Sequence, residues 1–430
     1  VERVRRMRRA GKRASVMPQP STPGLWNWKS LTIRSILALA SHKGGMFLVP
    51  DSVHSDVSRC TARVAGIDAA PDALLLEWRA LAEQASEPNA FAEGWFLAPA
   101  FAALRNGRSI RLIEVRDARG NLAGVMPATL YSHYGRMPVR HVSNWTHFQC
   151  FMGSPLVRRG DEGAFWLAVL ALLDTSDWAC GLLSVSALLE GGPIHQGLKA
   201  AAAGLGRPCP TVHRYERAAL ASDMEPEAYL AAMVRPKKRK ELRRLANRLS
   251  DMGVVSFSTL ERGDQIEGWC NEFLALEAAG WKGKDGAAFA NLEETTAFFR
   301  AVVTGAFEAG RLDFQRLDLD GRAIAMLVNF RTPPGSWSFK IAYDEELARF
   351  SPGVLIELQN LPRVLNDPEI EWMDSCAIQD HPMINSLWGE RRAIVQVSVP
   401  LSGVGRQAIF QACRAAETAS ATLRRLLKRV

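Results

Sequence analysis

Two stretches of this chain repeat one order of elements, and that repetition restricts the possible folds more than any single motif. Alternating apolar residues set between Gly, Asn and Pro punctuation predict strands over 110–116, 122–131, 137–143 and 150–157. A helix at 162–173, a strand at 181–188, a helix at 194–205 and a strand at 211–220 follow. The second stretch opens with a strand at 254–260 and helices at 265–279 and 293–309. Strands at 312–319, 323–330 and 337–343 come next, then a helix at 352–365, a strand at 370–376, a further loop and helix, and a strand at 393–401. Asp117-Ala-Arg-Gly120-Asn121 and Asp318-Leu-Asp-Gly321 have the composition of hairpin turns. A meander followed by helix, strand, helix, strand, twice over, is an α/β (α+β) plan of two modules. The predicted divisions are a basic extension at 1–70, a first module at 71–221 and a helical bridge at 222–253. A second module at 254–402 and an amphipathic helix at 403–430 complete the chain.

Charge narrows the partners. The formal net charge is +8, but residues 1–43 hold ten Lys/Arg and one acid, Glu2. Without that segment 43 basic residues face 44 acidic ones, so the body is balanced and its overall charge gives no reason to expect nucleic acid. The leading segment reads as a disordered extension, with Met7, Met17 and Met46 as alternative starts. Its apolar core at 36–40 is five residues long and preceded by Arg34, too short for an export signal. The longest apolar run, 164–173, is too short to span a bilayer. Seven scattered cysteines without a C-x-x-C pair, and eight histidines without metal-ligand spacing, predict neither a disulfide framework nor a metal site. The expectation is a cytoplasmic protein; its oligomeric state is not legible.

Three segments carry candidate chemistry. Ser351-Pro352-Gly353 opens a helix directly after a strand and loop: Ser351 suits the cap and Pro352 the first turn, while Gly353 allows close approach to the backbone. The amides of Gly353, Val354 and Leu355 would face a phosphate there, helped by the helix dipole. Leu276-Glu-Ala-Ala-Gly-Trp-Lys-Gly-Lys-Asp-Gly286 is a Gly-rich loop with two lysines, suited to an anionic acceptor through Trp281, Lys282 and Lys284. Residues 235–248 hold eight basic residues against Glu241, with Leu242, Leu245 and Leu249 on one side. This strip, with Lys238 and Arg239 near its start, is either a solvated face or a landing strip for phosphates, a nucleotide-sugar, a lipid-linked sugar or tRNA. It has no interleaved aromatics for stacking on bases.

The element order of the second stretch resembles the GNAT acyltransferase fold, and 350–353 fall where that fold binds the pyrophosphate of acetyl-CoA. The 276–286 segment is similar to the E-x-x-G-W-K-G stretch of CelD-like acetyltransferases of cellulose or exopolysaccharide biosynthesis, within the FemAB-like double-GNAT group. The likeness covers about 85–402, its specific motifs 235–392. It implies an acyl-CoA-dependent transfer, acetyl above all, to a saccharide precursor or amine. It also implies a thioester carbonyl held by a backbone amide on the strand at 337–343. Tyr343, near the end of that strand, is the candidate acid. Asp374, His381 and Glu277 are candidate bases. Lys340, opposite the Trp337–Phe339–Ile341–Tyr343 face, either reaches a substrate anion or extends to solvent. The family's Lys shortly after this Asp is missing; the next basic residues are Arg391 and Arg392. No Ser/Cys–His constellation calls for a covalent intermediate. In the first module Phe151-Met-Gly-Ser-Pro155 does not lead straight into a helix, which fits a structural or acceptor-binding role. Two rival readings are transfer from aminoacyl-tRNA to a cell-wall precursor and a non-catalytic scaffold in a polysaccharide assembly.

Overall fold

The computed structural model of the chain describes residues 60–66 and 72–427. In chain order the first half comprises β1 (Thr61–Ala65), α1 (Asp72–Glu83), α2 (Gly94–Ala103), β2 (Ile110–Arg116), β3 (Leu122–Tyr131), β4 (His141–Asn144), β5 (Leu156–Val157), α3 (Glu162–Thr175), β6 (Leu182–Leu189), α4 (Pro193–Gly204) and β7 (Thr211–Leu220). The bridge is α5 (Pro226–Met233) and α6 (Pro236–Ser250), separated because Pro236 cannot continue a helix and starts a new one. The second half comprises β8 (Val255–Thr259), α7 (Ile266–Ala279), α8 (Trp281–Lys284), α9 (Glu293–Glu308), β9 (Leu312–Leu319), β10 (Arg322–Thr332), β11 (Gly335–Tyr343), α10 (Pro352–Leu365), β12 (Trp372–Asp374), β13 (Glu390–Pro400) and α11 (Val404–Leu427).

Local chemistry explains most of these boundaries. The β9–β10 hairpin closes on Asp320 and Gly321, both at positive φ (51° and 78°), the pair of left-handed residues that a tight two-residue turn requires. In the β2–β3 turn the Asp117 carboxylate accepts from the Arg119 and Asn121 amides. The predicted basic extension lies outside the described residues except at 60–66. There the chain forms a strand: β1 pairs with β2, and Arg63 is ion-paired to the buried Glu114. An edge that offers both a ladder and a buried carboxylate orders a segment whose composition reads as disordered. Two further predictions change. Of the strand expected at 150–157 only Leu156–Val157 pairs, and the helix expected between 376 and 393 is replaced by a short turn, Ile384–Ser386.

Among the described residues one mixed sheet runs β1-β2-β3-β4-β6-β13-β7-β12-β11-β10-β9-β8, with β5 paired to β3. Only β4·β6 and β11·β12 are parallel. The two halves exchange their last strands. β13 lies between β6 and β7, and its Val395, Val397 and Val399 enter the core under α3. β7 in turn lies against β12. The cores are likewise shared, since α2 of the first half packs on the second: Phe96 meets Phe298 at 5.5 Å and Trp95 meets Phe330 at 4.9 Å. No described helix is long and apolar enough to cross a membrane.

Candidate functional site

The second half of the sheet opens where β11 and β12 part. They pair only over Gly335↔Trp372, Ser336↔Met373 and Trp337↔Asp374, and beyond that β11 continues without this neighbour to Tyr343. Two backbone features force the separation. Opposite β10, Val328 pairs with Lys340 and Asn329 with Ser338, so Phe339 is an extra, bulged residue. After β12, Cys376 takes a positive φ of 53° and its N–H donates to Asp374 Oδ1, which turns the chain away.

The bulge also resets which side chains share a face. The period-two reading placed Lys340 opposite Trp337 and Phe339, but the extra residue carries it to their side. Its ammonium stands 4.9–5.5 Å from the rings of Phe151, Phe339, Phe148 and Phe289. Ile341 and Tyr343 now face α10. Burial, and then the neighbouring Lys282, push the Lys340 pKa down to about 7, against the pull of Glu277.

At the same opening, Lys282 Nζ donates to Glu277 Oε1 (3.0 Å) and to the Ile341 carbonyl on β11 (3.0 Å). Glu277 is buried, and its other oxygen accepts from the Phe289 amide at 2.9 Å. Trp281, its side chain exposed at the rim, donates its backbone N–H to Glu345, and Lys284 stands 3.4 Å from the same carboxylate. Glu277, Trp281, Lys282, Ile341, Tyr343 and Glu345 enclose a cavity of about 20 Å³.

The helix start lies behind this opening. Ser351 is left-handed (φ 55°), and its carbonyl accepts from both Val354 (2.9 Å) and Leu355 (3.0 Å). Pro352 has no N–H, so of the three amides expected to face an anion, only that of Gly353 is not drawn into the turn. The ring of Tyr343 covers Gly353: a Cβ there would stand 3.2 Å from Tyr343 Cδ1. α6 flanks this corner. Its Leu249 packs with Leu347, Phe350, Leu355 and Ile356; toward the other end of the helix Arg239 Nε is buried without a hydrogen-bond partner and Lys238 is half-buried.

Asp374 and His381 are placed differently from one another. Asp374 is fully buried at the seam between the halves, paired to Arg217 of β7 (2.6 Å) and approached by Arg392 of β13 (3.4 Å). It holds the exchanged strands together and does not face the opening. His381 is half-buried; its Nδ1 accepts from the Ile384 amide, and burial followed by Lys282 lowers its pKa. The linear reading missed what the first half contributes. Phe148 and Phe151 project from the loop after β4 to the Lys340 ammonium, and Arg217 donates to the Phe151 carbonyl at 2.7 Å. Neighbouring His147 is stacked on Phe96, and burial together with Lys340 pushes its imidazole down to about 3. Only the aromatic density of 145–151 hints at this in the sequence.

An open mixed sheet that parts between two parallel strands, with a helix starting behind the gap, defines a GNAT-like acyltransferase fold. Residues 236–377 match the family model described as an acetyltransferase (GNAT) domain, and with the fold this makes the second half an acyltransferase module. No curated protein matches the sequence. Among solved structures the chain is similar to FemX (11% identity, 75% of this chain and 95% of that one, TM-score 0.47). It is also similar to a tandem GNAT protein from the clavulanic acid biosynthesis pathway (17%, 80% and 99%, TM-score 0.40). A conserved protein of unknown function from Bacteroides thetaiotaomicron shows a comparable likeness (12%, 76% and 97%, TM-score 0.49).

Proposed function

We propose that the second half transfers an acyl group, acetyl in the first instance, from acyl-CoA directly to an amine or hydroxyl of a saccharide precursor. The observation that carries this reading is the parting of β11 from β12 in front of the α10 start. When bound, acyl-CoA supplies an activated acyl group as a thioester. The free Gly353 amide and the α10 dipole would hold its phosphates, with the half-buried Lys238 and Arg239 of α6 as further candidates. Lys282, already at the open edge of β11, answers the negative charge that develops on the acyl oxygen, and Glu277 positions it. Lys340, near pH 7 partly unprotonated, takes the acceptor's proton. Tyr343 beside Gly353 is placed to protonate the departing thiolate. The likeness of 276–286 to CelD-like enzymes supports the saccharide acceptor, and a cytoplasmic setting suits a CoA donor.

Calorimetric titration of the full chain with acetyl-CoA tests the reading. Micromolar to millimolar binding is expected, and Gly353→Trp should lose it while the melting temperature shows that the fold survives. Absence of binding, or unchanged affinity in the variant, overturns the site. Tight, salt-sensitive tRNA binding in place of acetyl-CoA binding would favour the aminoacyl-tRNA reading instead.

A further inference from the structure

Many arginines of the body are matched by an acid: Arg116, Arg158, Arg207, Arg311, Arg316 and Arg331 all have a carboxylate within 4 Å. Helix α6 departs from this pattern. Arg235 at its cap and Lys237, Lys240, Arg243, Arg244 and Arg248 along it are exposed, and among the described residues none of the six is in an ion pair. Lys240–Arg244 and Arg244–Arg248 are like charges four residues apart on one helix face, an arrangement that disfavours the isolated helix. Leu242, Leu245 and Leu249 nevertheless anchor it firmly by burial. The apolar residues at both ends of the strip are equally out of place. Met224 (44% exposed) and Met233 (38%) precede α6, and Met252 (45%) and Val254 (72%) follow it.

We propose that α6 and its apolar flanks dock the protein on an anionic lipid bilayer surface. A fixed row of cations outside any ion pair, of which Arg248 also stands over the Phe350 ring at 5.9 Å, complements a negative headgroup layer, and methionine and valine side chains at either end can enter the acyl boundary. RNA is the weaker match for the same charge, because the strip offers no exposed ring on which a base could stack. The inference is independent of acyl transfer: the six exposed cations are distinct from Lys238 and Arg239, which are half-buried.

Vesicle co-sedimentation of the full chain tests it. Binding to phosphatidylcholine vesicles containing phosphatidylglycerol, and little to phosphatidylcholine alone, is expected, weakening as salt is raised. The leading segment is also basic, so two equal charge reversals are compared. Lys237→Glu with Lys240→Glu, Arg243→Glu and Arg244→Glu should weaken vesicle binding by about tenfold or more. Arg3→Glu with Arg5→Glu, Arg6→Glu and Arg8→Glu should weaken it less. Met252→Ser with Val254→Ser should remove the part of the binding that survives high salt. Acetyl-CoA titration of the same variants keeps failure of docking distinct from failure of the acyltransferase reading. Binding that ignores the α6 reversal, falls more with the leading-segment reversal, or is displaced from α6 by bulk tRNA at matched phosphate overturns the proposal.

Discussion

Both halves of the sheet contain a parallel pair that could part to admit a ligand, and they treat the gap in opposite ways. In the first half, β4 and β6 are stitched where they would separate. Asn144 Nδ2 donates to the carbonyls of Gly153 (2.8 Å) and Ser186 (2.9 Å), and its Oδ1 accepts from the Ser186 amide at 2.9 Å. The chain after β4 lies in the gap so closely that a Cβ on Gly153 would stand 2.2 Å from the Ser186 carbonyl. In the second half no such side chain closes the ladder; two lysines and a glutamate stand at the opening instead. The same architecture is thus a structural element once and a candidate site once. A neutral amide can satisfy every backbone group it meets, whereas partly desolvated ammonium groups are costly to keep unless they serve a ligand.

The largest expected effect falls on the open gap. Lys340→Met should reduce transfer by about 100-fold or more, read as kcat/KM, and should raise the melting temperature. The sign follows from the lowered pKa: between about 7 and its ordinary 10.5 the unfolded chain binds the proton and the folded one does not. Wild-type stability therefore rises with pH across that window, and the advantage of the variant is greatest below it. If Lys340 is the base, wild-type activity also rises through pH 7; a flat profile would break that role.

Asn144→Ala breaks the closed gap and should cost about 1–3 kcal/mol in denaturant unfolding, with acetyl-CoA affinity unchanged at temperatures where the chain is folded. Lost affinity without lost stability would show that the first half also binds the donor. Gly353→Ala, which presses on Tyr343, sharpens the contrast: it should weaken acetyl-CoA binding several-fold with little change in melting.

The smallest effect is on Glu357 of α10, which is buried with only Asn360 (3.2 Å) and Ser338 (3.5 Å) as partners. Burial raises its pKa to about 7 from 4.5, so the folded state keeps a proton that the unfolded state loses. Stability falls as pH rises from 4.5 to 7. Glu357→Gln should match the parent near pH 4 and melt about 2–4 °C higher above pH 7; a constant difference would place the pKa elsewhere.

Much of this was legible in the chain. Strand and helix periodicity located most elements within a few residues, and Asp320-Gly321 declared its hairpin because only left-handed residues make that turn. Lys282 of the 276–286 segment and Tyr343 line one opening, with Gly353 against the Tyr343 ring. Asp374 could not be assigned from the chain, because a carboxylate at a strand end looks the same whether it meets solvent or two arginines from distant strands. Nor could the side of Lys340, since one bulged residue reverses a period of two without leaving a mark in composition.

The sequence by itself determined the local elements, the duplicated plan and the charge of α6, all of which depend on neighbours a few residues apart. Only the tertiary structure decided that β7 and β13 change places, that Phe148 and Phe151 reach Lys340, and that one gap closes while the other stays open. These outcomes depend on residues far apart in the chain, such as Asn144 with Ser186 and Arg217 with Asp374. Their pairing is settled by burial and hydrogen-bond satisfaction in the assembled fold.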